Sequence, residues 1–219
     1  MPAVLDVLTS PLATVGSEDV TLMTLLGIVA YVGGLVTVAR GLRWAWPTAA
    51  IAAVLFGVEA LADGRFVDAG IRFVLALLCA YGWQVRRAGG IDRPRRAESR
   101  EIAYGVVLFA IVTVVAAYAL TDQSDDSVAW GSAVIVAAVF VQVAALARSL
   151  VIGWWAVIGS GIVSMVLAAA ASSWPTAAAS VLIVVAGTYG WRRWRREAAA
   201  SAPLEFSVTD EAVDEDLVA

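Results

Sequence analysis

Glu59, Asp68 and Arg72 are charged residues set inside long apolar runs of the sequence. If those runs cross a bilayer, each charge costs on the order of 2.5–3.5 kcal/mol even on the lenient insertion scale, so it must face a partner, a cavity or the interface. Asp68 and Arg72 are four residues apart, which places them on one helix face at pairing distance. Glu59 belongs to the preceding run and can approach them. Together they can hold a charged small molecule. Their place in the outer half of each run leaves snorkelling to the headgroups as the alternative. Gln142 is the amide of a third apolar run, and such an amide either bridges helices or meets a ligand. Trp46 and Trp154 offer flat faces that can stack on a ring, with cation–π attraction if the ring is charged. Trp155, near a run's end, reads as a headgroup-level anchor.

Composition removes several other chemistries. The 219-residue chain is 61% hydrophobic and 16% charged, against roughly a quarter charged in a soluble domain. It belongs with integral membrane proteins. There is no histidine and no lysine; all fifteen basic residues are arginine. An imidazole base, a His-ligated metal and a retinal-bearing lysine are therefore excluded, and no phosphate-binding glycine loop is present. The chain is expected to be no enzyme, no ATP-driven pump and no rhodopsin, with no cofactor and no metal. Its basic loop is a topology determinant and not a nucleic-acid site.

The elements that must position these residues come in two copies. Tyr81-Gly82-Trp83 returns as Tyr189-Gly190-Trp191, 108 residues on. At that spacing Ala39-Arg40 matches Ala147-Arg148, Trp46 matches Trp154 and Arg87 matches Arg195. Arginine, tryptophan and Tyr-Gly-Trp matches do not arise cheaply in an alanine-rich chain, so the sequence holds an internal duplication. The apolar runs predict seven helices, at 20–39, 44–62, 66–85, 102–120, 129–147, 151–171 and 174–191. The break at 172–175 divides a charge-free stretch too long for one crossing.

The expected fold is an all-α polytopic membrane protein: two parallel three-helix bundles joined by a linking helix. The fourth helix restores the direction of the second copy, as in transporters built from parallel repeats with the substrate between them. The segments are 1–18, external; 19–87, first bundle; 88–128, basic loop and linking helix; 129–197, second bundle; and 198–219, an acidic tail expected to be disordered. Residues 1–18 lack the basic start of a signal peptide. Placing the 86–100 loop in the cytoplasm puts thirteen of the fifteen arginines on that side, with the N-terminus outside and the C-terminus inside.

Gly64-Arg65-Phe66-Val67-Asp68-Ala69-Gly70-Ile71-Arg72, followed by Tyr81-Gly82-Trp83, resembles the first-half signature of the PnuC family, bacterial vitamin-precursor transporters chiefly for nicotinamide riboside. The closing stretch 188–196 and the series Gln142, Ala147-Arg148, Trp154 are similar to the same family's pattern. The resemblance implies a SWEET-like architecture and facilitated diffusion across the bacterial inner membrane. The substrate would be a small vitamin precursor, trapped by a cytoplasmic kinase; a homo-oligomer is compatible with it. It turns Gln142 and Trp154 toward substrate contact. Gly161 stands where many members carry Asn or Asp, and Arg72 where they tend to carry Gln. Gly161 and Ser164 belong to a small, apolar sixth helix, in which glycines also permit close packing. The expected substrate-binding set is Trp46, Glu59, Asp68, Arg72, Gln142, Trp154, Gly161 and Ser164. Tyr81 and Tyr189 are expected to gate the inner mouth or to pack. A thiamine or riboflavin carrier on the same fold, and a non-transporting assembly or sensory protein, are the other readings.

Overall fold

The computed structural model describes residues 10–16, 18–42, 44–89, 93–121 and 126–200. Residues 1–9, Arg43, most of the expected acidic turn (122–125) and the expected tail beyond residue 200 lie outside the described residues. The apolar runs become helices α1 (Leu22–Ala39), α2 (Ala45–Ala62), α3 (Phe66–Gly89), α4 (Ser99–Thr121), α5 (Asp126–Ala147), α6 (Gly153–Ala170) and α7 (Trp174–Ala200). Six of them have the length and apolar composition to cross a membrane. In α7, Pro175, Thr176, Gly187, Thr188 and Gly190 dilute the hydropathy, though 174–191 carries no charge. Large apolar side chains face outward all round, among them Val29, Leu77, Ile111, Tyr118 and Val185. A surface of that kind is solvated by lipid.

The element boundaries depart from the sequence expectation where charge begins. Helix α3 runs on to Gly89, α7 to Ala200, and α4 starts at Ser99. Arginine and glutamate are good helix formers, so a helix need not stop at the edge of the apolar layer. The all-helical expectation also misses a hairpin, β1 (Pro11–Val15) against antiparallel β2 (Glu18–Thr21). Its turn uses Gly16 at φ +68°. The hairpin delivers Thr21 as the N-cap of α1, in a reciprocal capping box with Thr24.

Helix α2 packs against both α1 and α3, and α6 against both α5 and α7; α4 lies mainly on α5. The two triplets meet where α1 touches α7 and α3 touches α5. These contacts are equivalent under the repeat. The backbone keeps the duplication too. Four of the five described residues with left-handed φ fall in two repeat-equivalent pairs, Gly41 (φ +70°) with Ser149 (φ +58°) and Gly64 (φ +74°) with Ser172 (φ +57°). Each pair turns the chain out of the first or second helix of its bundle. Glycine adopts that region freely, whereas a side chain there is strained. Ser172→Gly is therefore expected to raise stability by up to about 1 kcal/mol, read as a higher thermal midpoint in detergent. A lower midpoint would show that the serine side chain outweighs the strain.

Candidate functional site

A cavity of about 300 Å³ lies between the two triplets. All six helices of the triplets line it, and α4 contributes nothing. That volume is at the small end of the range for ligand sites. The wall is mostly apolar, with polar groups at two levels.

Nearer the hairpin end stand Thr24, Glu59, Arg72, Ser164, Thr176 and Ser180. Glu59 is fixed by α1: the Thr21 hydroxyl donates to its Oε1 at 2.8 Å, and the Thr24 hydroxyl donates to the same oxygen. The two threonine oxygens are 2.8 Å apart. The capping box of α1 thus doubles as the holder of a cavity carboxylate. Thr24→Val, which keeps the shape and removes one donor, is expected to cost about 1–2 kcal/mol of stability, read by thermal unfolding. No loss would mean that water replaces the hydroxyl freely. Arg72 is held by Asp68, whose Oδ1 accepts from Nε at 3.2 Å, and its guanidinium lies 5.5 Å from the Phe56 ring centroid. Asp68 also accepts from Arg65 at 2.8 Å, and Arg65 donates to Asp63 at 2.9 Å. That chain of pairs neutralises Arg72 and leaves Glu59 as the excess charge at this level.

The repeat makes the asymmetry visible. Phe56 and Arg72 correspond to Ser164 and Ser180, and these serines also touch each other, with Ser180 Oγ donating to Ser164 Oγ at 3.0 Å. One contact between the second and third helices is a cation over a ring; its counterpart is a hydroxyl pair. Charge and bulk come from the first triplet, small hydroxyls and Gly161 from the second.

At mid-depth Tyr31 of α1 meets Gln142 of α5 across the boundary between triplets. The two groups lie 3.3–3.4 Å apart through both amide atoms. Gln142 is buried at 3% exposure. Below them Trp46, Val38, Leu146 and Cys79 close the wall.

The chain's relatives can now be placed. The family described as nicotinamide mononucleotide transporter matches residues 21–196. The chain belongs to that family. The structure is similar to the crystal structure of the vitamin B3 transporter PnuC, with a TM-score of 0.65 and 14% identity over 82% of this chain and 83% of that one. At that identity the likeness speaks for the fold, a polytopic helical membrane protein. No curated protein sequence matches the chain. The nicotinamide mononucleotide transporter family consists of transporters and not enzymes, so the chain is a multi-pass membrane transporter of a small molecule.

Within this member of the nicotinamide mononucleotide transporter family, Trp46, Glu59, Arg72, Gln142, Gly161 and Ser164 of the expected set line the cavity. Asp68 does not line it; it sits behind Arg72. Trp154 does not line it either. It is fully buried, edge-on to Trp194 with ring centroids 5.4 Å apart. Tyr81 and Tyr189 are exposed and outside the lining. The Tyr-Gly-Trp motif has a packing logic instead. A methyl group on Gly82 would stand 2.9 Å from the ring of Trp46, and one on Gly190 would run into the ring of Trp154. The glycine is the notch that seats the matched tryptophan of the neighbouring helix. The motif's tryptophan is covered by the arginine one turn on, Arg87 over Trp83 at 5.8 Å and Arg195 over Trp191 at 5.4 Å.

Sequence reading missed Thr24, Tyr31, Phe56, Thr176 and Ser180 as lining residues. A signal was present: Phe56/Ser164, Arg72/Ser180 and Tyr31/Val139 are repeat pairs that differ sharply in polarity or bulk.

Proposed function

We propose that the chain carries nicotinamide riboside, or a closely related vitamin precursor, by facilitated diffusion. The substrate moves down its gradient through the cavity between the triplets, and a cytoplasmic kinase traps it by phosphorylation. The segments 19–87 and 129–197 are the two halves that move about the substrate. The arginine-rich end faces the cytoplasm of a bacterial cell and the chain lies in the inner membrane, as the arginine distribution argues.

The observation that carries this reading is the order of groups along the cavity. A carboxylate, Glu59, stands at one level, the Tyr31–Gln142 pair at the next and the Trp46 face below. A cationic pyridinium ring bearing an amide and a ribose has a partner for each: ring stacking and cation attraction, an amide for an amide, hydroxyl acceptors for the sugar. Asp68 positions Arg72, and Ser164 and Gly161 leave room on the opposite wall.

The test is ligand-induced stabilisation of the purified protein, because a molecule that binds only the folded state raises the midpoint by mass action. Nicotinamide riboside, nicotinamide mononucleotide, thiamine and riboflavin are compared. The riboside is expected to raise the midpoint, and Gln142→Ala to weaken its affinity about tenfold. A shift with thiamine or riboflavin alone would transfer the assignment to that vitamin. A shift with the mononucleotide alone would show that the cavity takes the phosphorylated form.

A further inference from the structure

The residues that close the arginine-rich end come from positions where the two copies are equivalent but not identical. Arg86 of α3 is the repeat counterpart of Trp194 of α7. Arg86 Nη2 donates to the Leu146 carbonyl at 2.9 Å and to Ser149 Oγ at 2.7 Å. Trp194 Nε1 donates to the Ala39 carbonyl at 3.1 Å. Leu146 lies in the last turn of α5, and Ala39 ends α1, the counterpart of α5. So each triplet's third helix sends one side chain across the boundary to the carbonyl end of the other triplet's first helix; at Leu146 it joins the Ser149 N–H, which donates to the same oxygen at 3.1 Å. Last-turn carbonyls have no partner within their own helix and carry the negative end of the helix dipole. The guanidinium of Arg86 lies 5.8 Å from the Trp194 ring, so the two donor side chains meet between the copies. Trp194 is 2% exposed and Ser149 wholly buried. Leu146, itself the carbonyl acceptor, and Val38, the neighbour of Ala39, both line the cavity floor.

We infer that Arg86 and Trp194 form a cross-capping latch that is the gate at the arginine-rich end of the pathway. While these three bonds hold, the triplets cannot part at that end. Opening requires Arg86 to leave the α5 terminus and Trp194 to leave the α1 terminus. Pulling Trp194 away also uncovers Trp154, which it packs against. Arg86 and Trp194 lie five residues beyond Tyr81 and Tyr189, the residues expected to gate the inner mouth or to pack. This inference rests on the transporter reading, but its test needs no substrate.

Cys79 supplies the probe. It is the one cysteine of the chain, it is buried, and it lines the cavity. A membrane-impermeant maleimide is applied to reconstituted protein from each face in turn. In Arg86→Gln and in Trp194→Phe, which keeps an aromatic ring, though a smaller one, and removes the donor, Cys79 labelling from the arginine-rich face is expected to rise at least about fivefold. Labelling from the other face should stay level or fall. Cys79→Ala gives the background, and an unchanged elution profile shows that each variant is folded. Folded variants with wild-type labelling from the arginine-rich face would overturn the latch while leaving the vitamin assignment intact. Equal gains from both faces would also overturn it, since that is general loosening.

Discussion

Gly190→Ala is expected to destabilise the protein by about 3 kcal/mol, the upper part of the usual range for overpacking. Its Cβ would run into the ring of Trp154, which is wholly buried between α7 and its neighbours and has nowhere to move. The equivalent change, Gly82→Ala, meets Trp46 at 2.9 Å, and that ring borders the cavity, so it can shift. The expected order is Gly190→Ala well below Gly82→Ala, with both below wild type, in thermal unfolding of detergent-purified protein. Trp154→Phe in the Gly190→Ala background should restore part of the loss, because a smaller ring vacates the notch. Equal midpoints for the two alanine variants would contradict the seat-and-notch account of the Tyr-Gly-Trp motif.

Glu59→Gln is expected to reduce uptake of a cationic vitamin by tenfold or more, equivalent to about 1.4 kcal/mol or more of lost attraction. Glutamine keeps an acceptor for the Thr21 and Thr24 hydroxyls, so folding should be little affected. What disappears is the excess negative charge, since Arg72 is already matched by Asp68. Replacing Arg72 with Glu59 intact separates the roles. Arg72→Gln alone exposes Asp68 and should leave uptake of a cation unchanged or raised. Wild-type uptake in Glu59→Gln would make the carboxylate a brace between α1 and α2 and nothing more.

Much of the architecture was legible because membrane physics leaves few options. Charge-free runs of the right length had to be helices, and the arginine clusters had to sit at their ends. The spacing of 108 gave the two copies, and an even join required a linking helix. The β-hairpin was not legible: four or five residues per strand, in a segment of mixed polarity, look like any linker. In the cavity, the charged residues announced themselves by their cost, and Glu59, Arg72 and Gln142 are all in its wall. Tyr31 and Phe56 did not, because an aromatic residue in an apolar run is unremarkable until its neighbours are known. Trp154 shows the opposite error. Its match to Trp46 is genuine and both sit on a glycine notch, but Trp194 covers Trp154 where the first copy has an arginine. Equivalent positions share packing; they need not share exposure to the pathway.

The most direct measurement is uptake of labelled nicotinamide riboside into proteoliposomes with no ion gradient and no nucleotide. Saturable influx that stops when inside and outside concentrations are equal, and that resumes when a riboside kinase and ATP are sealed inside, is the expected result. Empty liposomes and the Gln142→Ala protein set the baseline. Absence of influx by folded protein, or accumulation above the outside concentration without the kinase, would contradict facilitated diffusion through this cavity.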